Sequence, residues 1–183
     1  MFDSDLKQTI SNRGAAPDDV LEALVALGRE ARMYPEIFAP NARYDVYSAM
    51  EAALGPWTPQ NRVAGMLETL RVVGAMESGF NWEEGADPDG VGEEKIECRE
   101  TGMFQVSGNS MSFDPSLPAC VDRYLGAHDY RTFLAGMKTN HALAVEYAAR
   151  VLRFSIRWDG PIERGVVQRY VTRAAMAAFW MLV

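Results

Sequence analysis

Apolar residues recur at the three-and-four spacing of an α-helix along most of this chain, and the pattern breaks in one stretch near its middle. Pro17-Asp18-Asp19 opens the first periodic segment. Proline suits a first helical turn, and acids suit the positive N-terminal end. Val20, Leu21, Leu24, Leu27 and Ala31 then share one face, up to Pro35. A second, shorter helix is expected from Arg43 to Leu54, ended by Gly55-Pro56. Thr58 and Pro59 supply an N-cap and a first position for a third helix. Its apolar stripe is Val63, Met66, Leu67, Leu70 and Val73, and Gly79 lies where a C′ glycine closes it. Residues 1–16 read as a polar lead-in.

Residues 80–115 change character. Turn residues from Gly85 to Gly92 precede a charged run, and Thr101-Gly-Met-Phe-Gln-Val-Ser follows with short alternation, which suggests a small hairpin or irregular sheet. Helical spacing returns near 117–125, 129–139, 140–156 and 161–182, with Asp129 and Asn140 as caps and a break at Trp158-Asp-Gly-Pro161. Leu143, Tyr147, Val151 and Phe154, then Val167, Val171 and Ala175, form stripes that read as core. Phe179-Trp180-Met181 is expected to be buried, with a contact surface as the alternative. The expected fold is one mainly α domain over 1–183, with a β-rich insertion at about 80–115.

Charge and composition narrow the function. A net charge of −7 and only three lysines among 18 basic residues argue against nucleic-acid binding. No apolar run reaches the length of a membrane span, and the start MFDSDLKQTI lacks the basic and apolar regions of a secretory leader, so synthesis in the cytoplasm without one is expected. Cys98 and Cys120 are either two buried thiols or one disulfide that closes a loop of about 23 residues, worth roughly 3 kcal/mol. His128 and His141 show no metal-ligand spacing. Asp87 to Gly92 departs from a calcium loop, because Cys98 stands where its twelfth-position Glu belongs. No phosphate-binding glycine loop or nucleophile elbow occurs, so neither a metal nor a cofactor is expected.

Extending the third stripe by four residues lands on Glu77, in the last turn of its helix. Burial and the negative end of the helix dipole both disfavour a charged carboxylate there, so a buried Glu77 would keep its proton nearer neutrality and could donate it, although position alone equally allows a helix-ending Glu that leans into water. Met76-Glu77-Ser78 is followed, after the insertion's turns, by Gly102-Met103-Phe104-Gln105. A Glu-Ser pair ending a core helix, then Gly-x-x-Gln after a variable β insertion, resembles the lysozyme-like superfamily in its goose-type lysozyme and lytic transglycosylase branch. The resemblance spans roughly residues 58–160, with Met-Phe here where the family commonly has Leu-Met.

The resemblance implies a helical lobe and a β-containing region bordering a groove for peptidoglycan glycan strands. It implies cleavage between N-acetylmuramic acid and N-acetylglucosamine, with Glu77 as proton donor and with Ser78, Gln105 and Ser107 beside the sugar. Trp82 is expected to offer a flat face to a ring, or else to pack in the core, and Tyr147 stands where the family often lines its cleft. A second acid is sought among Glu84, Asp87, Asp89, Glu97 and Glu100. Asp87 is the first choice among them for its place in the loop expected to pass the groove, although an Asp-Pro-Asp-Gly turn is the simpler account of it. Hydrolysis and lytic transglycosylation, which needs no second acid, both stay open, as does a lysozyme-like module that binds without cleaving. Muramidase activity in a chain with no leader suggests a phage-type lysin or an antibacterial toxin delivered into a rival's periplasm, as by type VI secretion. A cognate immunity protein occluding the groove is the partner expected of such an effector.

Overall fold

The computed structural model describes residues 2–39, 45–90, 95–154 and 160–183. Among them are α1 (Asp18–Arg29), α2 (Pro35–Phe38), α3 (Val46–Leu54), α4 (Pro59–Ser78), α5 (Ser116–Leu125), α6 (Tyr130–Thr139), α7 (His141–Phe154), α8 (Gly160–Glu163) and α9 (Arg173–Trp180). Two short strands, β1 (Glu100–Thr101) and β2 (Val106–Ser107), pair antiparallel, with Glu100 opposite Ser107. The protein is therefore mainly helical with a small sheet, as the periodicity predicts.

Helix α4 is the axis of the fold. It packs against α1, α2, α3, α7, α8 and α9, and every residue from Ala64 to Ala75 is buried. A helix sealed on all sides must pair whatever polar groups it carries. Glu68 and Arg71 do so in part, as a two-pronged ion pair, Nε to Oε2 at 2.7 Å and Nη2 to Oε1 at 2.9 Å, while Arg71 Nη1 is buried with no hydrogen-bond partner among the described residues. Glu68 Oε1 also accepts the Thr172 backbone N–H at 2.8 Å, which ties the start of α9 to α4. The ends of α4 are set locally. Thr58 and Asn61 form a capping box, and Gly79 sits left-handed at φ 65°, which a residue with a side chain adopts at a cost.

Several boundaries differ from the sequence expectation. The lead-in is not merely polar: Leu6, Ile10 and Ala16 are buried, held by turns and by Lys7 Nζ donating to the Ala16 carbonyl. Helix α1 stops at Arg29, and a 3₁₀ turn over Ala31–Met33 replaces its last expected turn. Asp45 caps α3 by accepting the Ser48 N–H at 3.0 Å, and the expected start at Arg43 lies outside the described residues. The break expected from Trp158 begins outside them as well. The single helix expected over 161–182 is three pieces: α8, a 3₁₀ turn at Val167–Arg169, and α9. Gly165 at φ 67° stops the first piece, and Thr172, accepting from Ala175 N, starts the last. Phe179 is buried, whereas Trp180 and Met181 are exposed. Cys98 and Cys120 are both free thiols, one exposed and one buried, so the disulfide alternative does not hold.

On α7, Glu146 is fully buried and is held by three donors. Arg123 of α5 and Arg150 one turn along pair with it, and Tyr124 Oη donates at 3.1 Å. Burial pushes its carboxyl up, but the two guanidiniums outweigh that and hold it below its ordinary value of 4.5. A carboxyl whose folded pKa is depressed adds stability above its unfolded pKa and loses it as pH falls through the folded value. Wild type is therefore expected to lose more melting temperature than Glu146→Gln between about pH 6 and about pH 3. Parallel losses in the two proteins would show that Glu146 carries no such linkage.

Candidate functional site

The site forms where the last turn of α4 leaves the core. Helical spacing puts Val73 and Glu77 on one face, and both line a cavity of about 480 Å³. Glu77 is half-buried, in contrast to the sealed residues one turn earlier. The β1–β2 hairpin closes another wall with Glu100, Phe104, Gln105, Val106 and Ser107. Its turn docks on α4 through Met103, which is fully buried and lies so close to Gly74 that a side-chain carbon added there would stand 3.3 Å from the Met103 sulfur. That contact carries the Gly-x-x-Gln stretch to the end of the Glu77 helix across some 25 residues of chain.

The turn itself is tightly specified. Gly102 has φ 71°, and a Cβ on it would lie 2.7 Å from the Met137 carbonyl oxygen, so both conformation and space require glycine. Gln105 adopts φ 46°, the left-handed region, where a residue with a side chain costs roughly 1–3 kcal/mol. Its Nε2 donates to the Gly102 carbonyl at 2.8 Å. Its side-chain oxygen accepts no hydrogen bond among the described residues and remains available as an acceptor at the cavity wall.

Helices α7 and α8 complete the enclosure. Ala148, Val151 and Leu152 form an apolar face, and Gly160, Pro161 and Arg164 follow. Tyr147, expected in the cleft, is not among the lining residues. An α-helix turns by about 100° per residue, so Ala148 faces the cavity while Tyr147 points into the core. Tyr147 supports the wall from behind. Ser110 Oγ donates to the Ser107 carbonyl at 2.6 Å, so its one proton is committed and the Tyr147 hydroxyl donates to it at 2.7 Å. Burial accordingly pushes the Tyr147 phenol well above its ordinary range. Removing that hydroxyl with Tyr147→Phe is expected to cost about 1 kcal/mol, or about 2–4 °C in melting temperature. An unchanged melt would show that the chain of hydroxyls adds nothing.

Of the residues singled out in the sequence, the structure brings Glu77, Gln105 and Ser107 to one cavity. Glu100, from the second-acid candidates, joins them, whereas Ser78, Trp82 and Asp87 lie elsewhere. Ser78 Oγ donates to the Gly74 carbonyl and accepts the Asn81 N–H, so it closes the helix end. Trp82 is 8% exposed, stacks on His141 at 3.9 Å and donates to Asp19 Oδ2, which makes it a core residue. Asp87 pairs with Lys138 Nζ at 2.7 Å and pins its loop to α6, away from the cavity lining. Among the described residues, Glu100 is the carboxylate that shares the cavity with Glu77.

Sequence reasoning missed Cys98, Asn109, Ser110, Phe113 and Arg164 at this wall. Arg164 was hidden inside an expected continuous helix. The other four sit in 3₁₀ turns or loops with no periodic signal. No group of His, Cys, Asp and Glu among the described residues is placed to hold a metal ion, and no described helix is long and apolar enough to cross a membrane. The chain matches no family model, no curated protein and no solved structure.

Proposed function

We propose that this protein cleaves the glycan strand of peptidoglycan, with Glu77 protonating the bridging oxygen between N-acetylmuramic acid and N-acetylglucosamine. The observation that carries the reading is the convergence of Glu77, Gln105 and Ser107, chosen from sequence motifs alone, on one cavity. A volume of about 480 Å³ falls within the 300–1,000 Å³ typical of ligand pockets. The wall divides into an apolar part from α7, α8 and the hairpin, which suits the flat faces of sugar rings, and a polar part, which suits their hydroxyl and acetamido groups. A strained Gln105 at that wall is the kind of outlier found where a backbone is held for a ligand.

Glu100 takes the place of Asp87 as the candidate second acid. In a hydrolase it would activate water on the far side of the sugar. In a transglycosylase Glu77 alone would serve, first as acid and then as base toward the muramyl hydroxyl. Digestion of purified sacculi, with mass analysis of the soluble fragments, tests both. Reducing ends that vanish in Glu100→Gln assign hydrolysis. Anhydro ends that persist in Glu100→Gln assign transglycosylation. No soluble fragment from the wild type would overturn the function. Within this reading the enzyme acts in the periplasm of a target bacterium as an antibacterial effector or lysin, and a cognate immunity protein would bind over the same cavity.

A further inference from the structure

We propose that Arg164 makes this cavity a carboxylate-reading site, so that the strand it accepts is one whose muramyl lactyl group is a free acid, bared of its peptide. The inference rests on the glycan-cleaving reading above and names the form of the substrate. Among the described residues, three charged side chains line the cavity: Glu77, Glu100 and Arg164. Elsewhere in the molecule Arg71, Arg123, Arg131, Arg150 and Arg153 each hold a carboxylate. The Arg164 guanidinium is exposed and, like those of Arg29, Arg62 and Arg173, pairs with no carboxylate among the described residues; it alone of these lines the cavity. It folds back over the start of α8, where a side-chain carbon on Gly160 would stand 2.7 Å from its Nη1, and Gly160 itself lines the cavity.

A guanidinium is a planar fork matched to a carboxylate, and the paired hydrogen bonds are charge-assisted. An anionic ligand needs a cation at the wall, and Arg164 supplies one. A neutral polymer of N-acetylglucosamine has nothing for that cation to hold. The muramyl residue carries a lactyl ether close to the scissile linkage. Its carboxyl is uncharged while a peptide is joined to it as an amide, and becomes a carboxylate once that peptide is removed. The reaction class that supplies the substrate is therefore amide hydrolysis. Water adds across the lactyl–peptide bond, the stem leaves with its free amine, and the carboxylate stays on the sugar.

Binding is measured by calorimetry in the Glu77→Gln protein, where turnover does not interfere. The probes are peptide-free glycan oligosaccharides, the same strands with stems, and chitooligosaccharides. Peptide-free strands are expected to bind most tightly. Adding Arg164→Met is expected to weaken them by about tenfold or more and to leave the other two probes unchanged, while Arg164→Lys restores part of the loss. Peptide-free and stem-bearing strands bound equally, or peptide-free strands untouched by Arg164→Met, would overturn the proposal. In parallel, backbone amide shifts around Gly160 and Arg164 are followed as sodium lactate is added to the wild type. Lactate shifts that vanish in Arg164→Met, with no glycan bound, would overturn the peptidoglycan reading and with it the bared strand, and leave only a carboxylate subsite. All glycans bound equally, with no lactate shift, would overturn the subsite while the glycan reading stands.

Discussion

Glutamine in place of Glu77 is expected to lower release of soluble muropeptides by about 10²–10⁴-fold, the range a positioned general acid contributes. The carboxamide keeps the size and shape of the side chain but has no acid proton to give. Glu77 is half-buried in the final turn of α4, beyond the sealed Ala64–Ala75 segment, so the exchange leaves the core as it was. The loss is therefore expected with an unchanged melting temperature. Equal activity in both proteins would remove the assignment. The wild-type rate is also expected to fall on the basic side of its pH profile, as the donor loses its proton before it can act. A profile flat from about pH 4 to about pH 9 would contradict a role for any carboxylic acid as donor.

The largest effect on stability is expected at Glu68, far from the cavity wall. Glu68 and Arg71 are at most 1% exposed, and their ion pair lies in the middle of the helix around which the others pack. Burial drives the Glu68 carboxyl above the usual range against the pull of Arg71 and the Thr172 N–H, which shows how costly the site is for a lone charge. Glu68→Gln keeps the volume but leaves the guanidinium buried without its counter-charge, at a cost of about 3–5 kcal/mol. For a chain of this length that corresponds to about 10 °C or more in melting temperature. Glu68→Leu combined with Arg71→Met is expected to recover much of the loss, because two apolar groups need no pairing. A Glu68→Gln protein that melts within about 2 °C of wild type would show that water reaches Arg71 and that the helix is not sealed there.

The two positions differ in how far the sequence exposes them. Glu77 is legible because the stripe Val63, Met66, Leu67, Leu70, Val73 is local, and its continuation falls on an acid just before Gly79. Glu68 and Arg71 lie off that stripe, and nothing in the local pattern marks them as buried. The structure puts α9, a helix about a hundred residues downstream, over their side of α4, and periodicity within α4 holds no record of it.

Gln105 and Ser107 were legible through a motif, and Met103 against Gly74 is the contact that makes the motif spatial. Tyr147 and Trp82 each carried two readings, cleft or core, for one common reason. Aromatic residues near a motif suit a sugar face and a packed interior equally, and only the neighbours decide. Ser110 and Phe133 surround Tyr147, and His141 and Phe104 surround Trp82. Asp87 was drawn to Lys138 on α6, a partner no local spacing indicates.

By itself the sequence determined the helical class, the caps at Thr58, Asp129 and Asn140, the glycine stop at 79, the place of the β hairpin, and the acid at the end of α4. Each is set by interactions within a few residues, where capping, spacing and turn preferences act. The tertiary structure alone decided which carboxylate shares the cavity with Glu77, which side of α7 faces it, and that Arg164 stands at its wall. Those outcomes depend on which helices meet across long stretches of chain, and a local pattern carries no information about that meeting.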